Sequence, residues 1–462
     1  MIEMEFLSVS IPEDVLKAEH TGNYTEAEEL INTYLEKKLP AIMRERLEYE
    51  LYRISRIKKN YCYSPAEARA LLKETVKDLT DNEFDSLLEK NRLDCLSFNG
   101  HLFFEKRFAD NLCFSDKAYK DRKIEDKKRE EGKQLLHKRL DELLRGDSPK
   151  AYRVKGRITK MPKTAPKESR ILKCWLPLPK SDLQQRASAW IKTDVSDFTV
   201  SRNNHPQRTF FAQKSVDPTS KNAFSVEFEY RITEIISNVD PDMVRLPKIN
   251  MDTFLEEQYP HIVFTPYLKK LASEIVRDEI NPYLMAKRIY DWITLNINYS
   301  FMKEYKFYGN LPEYAATNFK GDCGVQALLF ITLCRICRIP ARWQSGWYAN
   351  PVSPGNHDWA LFYCEPYGWL PVDCSFGGAR RDNEAYREFY FGNLDAFRMI
   401  TTTGFMAPFF PEKAFMRNDP YDNQSGEMET EKYALEEEDT IHLKEILEFT
   451  SLSDINERND ER

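Results

Sequence analysis

The sequence predicts an α+β, multidomain chain, and three observations predict it. Residues 1–147 carry apolar side chains mainly at helical spacing, residues 151–246 change to alternating strands, and residues 250–400 combine a wholly apolar helix with a β-hairpin. At 462 residues the chain exceeds one typical domain, and a hydrophobic fraction of 42% is enough for several cores. Residues 401–462 are expected to form a C-terminal extension with an acidic tail.

In the first region Ala27, Leu30, Ile31, Tyr34 and Leu35 recur at helical spacing, with Thr25 as the expected cap. Ser64-Pro65-Ala66-Glu67 is a strong helix start: Ser at the cap, Pro at the first position, Glu at the third. LSFNGHLFFEKRF predicts a β-hairpin turning at Asn99-Gly100. From Lys117 to Glu142 charges of both signs alternate, which predicts a solvated helix laced with i,i+4 pairs. Gly146 to Pro149 then supplies a linker.

The second region predicts a small antiparallel β-sandwich. Phe224 to Ile232 alternates apolar and polar almost perfectly, Tyr152–Lys155 and Ile171–Leu178 add strands, and 194–200 and 209–212 are weaker ones. Near the C-terminus, His442 to Phe449 is expected as a short helix, with the last ten residues polar and frayed.

The core is expected to begin near Asn250. Asn281-Pro282 joins cap and first-position signals, and Met285, Ile289, Trp292 and Ile293 then line the buried face of a helix. The aromatic loop 302–310 is the expected substrate groove, and Tyr308 is the candidate second oxyanion donor, on position alone. CGVQALLFITLCRIC, from Cys323 to Cys337, is apolar on nearly every side and predicts a buried helix. Asp322 is a good N-cap, so Cys323 falls at the first helical position, where the helix terminus favours a thiolate, the competent nucleophile.

A nucleophilic cysteine needs a base and a group to orient that base. His357, one of only seven histidines, opens a predicted strand, and Asp373 closes the next one after a turn at Glu365-Pro366-Tyr367-Gly368. A three-residue loop 366–368 would pair Glu365 with Trp369 and set Asp373 opposite Leu361. His357 would then be about 13 Å from Asp373 along the strand, too far for a hydrogen bond. A twist, a bulge or a wider turn is therefore required if the two are to meet.

These stretches together (GDC and the buried helix, IPAR followed by Ser345-Gly346-Trp347, NHDWALFY, and GWLPVDCSFGG) resemble the transglutaminase-like superfamily of cysteine enzymes, in its bacterial type. The resemblance is best over residues 282–378. It implies a papain-like α+β core, with Cys323 as nucleophile, His357 as general base and acid, and Asp373 as the residue orienting the imidazole. The chain has no Gly-rich phosphate loop and no dinucleotide fingerprint, so no cofactor is expected, and no metal. One departure is Arg338, where relatives commonly have a glycine ending the helix; an arginine there must adopt or avoid the left-handed cap.

Other classes are disfavoured. A formal net charge of −7 argues against general nucleic-acid affinity. No apolar run reaches the roughly 18–20 residues that span a bilayer, and the N-terminus lacks a secretory pattern, so a cytoplasmic protein is expected. Nine cysteines without framework spacing fit reduced thiols. Cys334 and Cys337 form a lone C-x-x-C, half of what a structural zinc site needs. The expected activity is cysteine-dependent acyl transfer on a peptide or side-chain amide: hydrolysis first, amine transfer onto glutamine second. A non-catalytic interaction module is the reading from another class, disfavoured because a scaffold has no chemical need for Cys, His and Asp together.

Overall fold

The computed structural model describes residues 4–453. Its N-terminal part holds two small cores. Helices Glu13–His20, Tyr24–Leu35 and Ala41–Asn60 pack around Val15, Ile31, Leu47 and Ile54. Helices Pro65–Thr75 and Asp81–Glu89, with the hairpin Cys95–Phe98 and His101–Glu105, enclose Leu72, Phe84 and Phe104. Ser64 and Glu67 close the expected capping box, and Asn99 and Gly100 both take positive φ at the hairpin turn, as a tight two-residue loop requires. Two details differ from expectation. Thr25 lies inside its helix, which starts after Asn23, and its N–H bonds the Asn99 side chain. The charged stretch breaks into Lys117–Lys120 and Lys127–Leu144, because Asp126 caps the second piece by accepting from the Arg129 N–H.

The β region forms two facing antiparallel sheets. One orders strands 440–451, 151–162, 224–233 and 185–193; the other orders 434–435, 427–430, 171–177, 209–215 and 198–200. Three of these strands come from the far C-terminus. The expected short helix over His442–Phe449 is instead part of the strand Thr440–Ser451, which runs against Ala151–Pro162 from Thr440↔Pro162 to Ser451↔Tyr152. The backbone hydrogen bonds of that open sheet edge override the helix-favouring Leu, Lys and Glu of the segment. Residues 401–462 are therefore no simple appendage, since Met428 and Leu435 are buried in the sandwich core. The polar residues 454–462 lie outside the described residues.

The remaining core is a helix packed on a sheet. Helix α1 (Cys323–Ile336) is buried along nearly its whole length, and it is followed by strands β1 (Ala341–Tyr348), β2 (Gly355–Cys364) and β3 (Gly368–Val372). A short helix α2 (Cys374–Gly378) and strand β4 (Arg398–Thr402) complete the unit, with sheet order β3-β2-β1-β4, all neighbours antiparallel. Phe330 of α1 meets Phe362 of β2 edge-on at 5.9 Å, and helix Pro282–Asn296 buries Ile289, Tyr290 and Ile293 on the same core. Beyond α1, Arg338 takes φ +62°, the left-handed cap conformation that a glycine adopts more easily. No helix among the described residues is long and apolar enough to cross a membrane.

Candidate active site

Cys323 occupies the first position of α1. Asp322 caps the helix by accepting from the Val325 N–H at 3.1 Å, and the same Asp322 oxygen accepts the Tyr305 hydroxyl. Gly324 makes room here: a β-carbon on it would collide with the Tyr305 hydroxyl and the Asp358 carboxylate. The Cys323 sulfur, with the Asp322 and Asp358 side chains, borders a cleft of about 1050 Å³.

His357 and Asp373 do meet: His357 Nε2 and Asp373 Oδ2 are 2.6 Å apart, both buried. The hairpin solves the spacing problem by placing its three-residue loop one position earlier than expected. Cys364 pairs with Gly368 and Leu361 with Pro371, which would continue to set Asp373 level with Trp359. The remaining separation along the strand is two residues, about 7 Å, within reach of the two side chains. Asp373 then leaves the sheet as the N-cap of α2. Its Oδ1 accepts from the Phe376 N–H at 2.9 Å and the Ser375 hydroxyl at 3.1 Å, and its Oδ2 also accepts from Arg398 Nη2 at 2.8 Å.

These partners set the charges. Burial alone would raise the Asp373 carboxyl, but His357, then Arg398 and the Phe376 N–H, hold it well below the usual carboxylate range. Burial lowers the His357 imidazole, with Asp373 opposing and Arg398 reinforcing the shift, so the ring is neutral near pH 7. Nε2 is the ring nitrogen that Asp373 engages. The ring sits between Trp359 and Phe376, with centroids 5.6 and 4.6 Å away.

The cysteine departs from expectation. Burial, then the carboxylates of Asp358 and Asp322, push its thiol above the ordinary range. The thiol donates to Asp358 Oδ2 at 3.3 Å, not to His357, while the Asp358 N–H, one residue along from His357, also points at the sulfur. Tyr308 is not in this constellation: its ring packs edge-on against Tyr314 at 4.9 Å and it does not border the cleft. The hydroxyl that lies against the Cys323 sulfur is that of Tyr299.

The sequence reading missed Asp358, Asp422, Gln424 and Arg398. Asp358 was findable, because neighbouring residues of a strand project to opposite faces and one of His357 and Asp358 had to face α1. Arg398 and residues 419–426 are brought in from far along the chain, and no local pattern announces them. Gln424 donates to the His357 carbonyl at 3.2 Å and to Asp358 Oδ1, and Trp347 Nε1 fixes the Gln424 carbonyl at 2.8 Å. Among the described residues no group of His, Cys, Asp and Glu is arranged to hold a metal ion, and all nine cysteines are free, Cys334 and Cys337 included.

Residues 269–374 match the family model of the transglutaminase-like superfamily. An uncharacterized protein of Haemophilus influenzae is 24% identical over 263 residues, 48% of this chain and 71% of that relative. Among solved structures, a candidate cysteine protease from Cytophaga hutchinsonii aligns with a TM-score of 0.41 at 16% identity, over 66% of this chain and 92% of that one. The periplasmic domain of TgpA from Pseudomonas aeruginosa aligns with a TM-score of 0.28 at 14% identity, over 55% and 96% respectively.

Proposed function

From a chain that carries a transglutaminase-like domain over residues 269–374, we propose a cysteine-dependent acyl-transfer enzyme whose default reaction is hydrolysis of a peptide or side-chain amide. The observation that carries the reading is the buried 2.6 Å hydrogen bond between His357 and Asp373, in a chain whose Cys323 stands at a capped helix start.

In this reading Cys323 loses its proton to His357 Nδ1 as the substrate carbonyl arrives, and the sulfur attacks the carbonyl carbon. The Cys323 N–H, at the first helical position and outside the helix ladder, donates to the developing oxyanion, with the Tyr299 hydroxyl as second donor in place of Tyr308. His357 returns the proton to the departing amine as the C–N bond breaks, and Asp373 stabilises the imidazolium meanwhile. Water then cleaves the thioester. Transfer to an amine is the second reading; it requires a site that holds the amine and excludes water.

The test supplies a glutamine-containing protein together with a labelled primary amine, and follows label, ammonia and new termini. New termini or ammonia without label, absent in Cys323→Ala, is the expected result. Efficient labelling that depends on Cys323 would reverse the order of the two reactions, and no Cys323-dependent product of any kind would sink the enzyme reading.

A further inference from the structure

Asp358 is the carboxylate nearest the sulfur, and it is not alone. The carboxyl groups of Asp358 and Asp422 lie against each other, Asp419 bears on Asp422, and all three border the cleft with Cys323. Burial, followed by mutual repulsion for Asp358 and Asp419, raises these groups above the ordinary carboxylate range even though Arg417 opposes the shift at Asp419 and Asp422, and a cation entering beside Asp358 would relieve it further. The wall beside them is aromatic. Tyr305 and Tyr421 have ring centroids 6.0 Å apart, Tyr421 stacks on Phe405 at 5.2 Å, and Phe405 meets Trp343 at 5.3 Å. Carboxylates backed by aromatic faces are the surroundings an ammonium group prefers.

A second observation points to a ligand independently. Trp343 Nε1, Asn423 Nδ2 and the Tyr421 hydroxyl have no hydrogen-bond partner among the described residues, although the three residues are only 2%, 2% and 1% exposed and border the same cleft. Buried donors left unsatisfied are costly, and these await an acceptor oxygen. A ligand with an ammonium group and, beyond the attacked carbonyl, a further acceptor oxygen would answer both sets of groups.

Resting on the proposal that Cys323 is the nucleophile, we infer that Asp358 and Asp422 form a subsite for the free α-ammonium group of the acyl residue, so that the enzyme acts on unblocked N-terminal residues. Covalent geometry supports the α-position. In an α-amino acyl group the nitrogen is about 2.5 Å from the carbonyl carbon, two bonds away. Asp358 Oδ2 stands 3.3 Å from the sulfur that must reach that carbon, close enough for a nitrogen two bonds from the carbonyl carbon to be set against the carboxylate.

The test uses the full chain and two affinity reagents, alanine chloromethyl ketone with a free amine and its N-acetyl form. In both, the Cys323 sulfur forms a bond to the methylene carbon and chloride leaves with the bonding pair. Labelling of Cys323 is timed by mass spectrometry, with iodoacetamide as a small neutral control. The free-amine reagent should react about tenfold faster than the acetylated one in the native chain, the effect of one charge-assisted contact. That ratio should fall toward one in Asp358→Asn and in Asp422→Asn, each checked for an unchanged thermal transition. Equal rates for the two reagents in the native chain, with iodoacetamide still modifying Cys323, would overturn the subsite while leaving the nucleophile standing. A ratio that persists in Asp358→Asn while both rates fall alike would overturn it too, assigning Asp358 to proton transfer instead. Failure of iodoacetamide at Cys323 would indict the nucleophile itself, and the subsite with it.

Discussion

The imidazole of His357 and the carboxylate of Asp373 are joined at 2.6 Å across the open end of a hairpin whose strands alone would keep them about two residues apart. The gap is closed because Asp373 is the last residue before α2 and turns inward to cap it, so one carboxylate both starts a helix and holds a histidine. Arg398 completes the arrangement, buried between Asp373 at 2.8 Å and Asp395 at 3.1 Å, with its guanidinium 4.2 Å from the Phe376 ring centroid.

Arg398→Met should destabilise the protein by about 3–5 kcal/mol, because it strands two buried carboxylates rather than removing a pair cleanly. Chemical denaturation of the variant beside the native chain measures this. A cost under about 1 kcal/mol would mean that water or another cation already satisfies Asp373 and Asp395.

Asp373→Asn should leave the fold but cut turnover by orders of magnitude, through loss of the group that orients and stabilises the imidazolium. The stability difference has a defined pH window. A carboxylate whose folded pKa is depressed contributes stability that is fully present above its unfolded value, near 4, and lost as the pH falls toward its folded value. The gap in Tm between native and Asp373→Asn proteins should therefore be flat from pH 5 to 8 and narrow only in stronger acid. A gap that closes between pH 5 and 7 would contradict the direction of the shift.

The rate of Cys323 alkylation by iodoacetamide should rise about tenfold per pH unit from pH 7 to 9 without a plateau, since the thiol lies above its ordinary range. A plateau beginning below pH 7 would instead reveal a resting thiolate–imidazolium pair.

Gly324→Ala should disable the site before it unfolds the chain. Its β-carbon would press on the Tyr305 hydroxyl and Asp358, displacing the groups around the sulfur, while the rest of α1 remains packed. Native-like circular dichroism with lost Cys323 reactivity is the expected pair of results; full reactivity would show that the two side chains move aside freely.

Ending the chain at residue 426 should abolish cooperative folding of the β-sandwich. The truncation removes strands 427–430 and 440–451, exposing the edges of 171–177 and 151–162 and deleting the buried Met428 and Leu435. A soluble truncated protein with an unchanged thermal transition would show that these strands are dispensable.

The features legible along the chain were local: the capped start of α1 at Asp322 and Cys323, the capping box at Ser64, the turn at Asn99-Gly100, and a hairpin with His357 on its first strand and Asp373 just past its second. Each follows from rules acting over a few residues, namely which side chain can satisfy a helix terminus and which backbone can take positive φ. Tertiary structure decided the rest. It made a strand of 440–451, because an open sheet edge elsewhere in the chain supplied the hydrogen bonds. It pushed the Cys323 thiol upward, because burial and the carboxylates of Asp358 and Asp322 surround it. It also brought Arg398 to Asp373 and Asp422 to Asp358, pairs 25 and 64 residues apart in the numbering. Charge and desolvation depend on what surrounds a group in space, and no pattern along the chain encodes that.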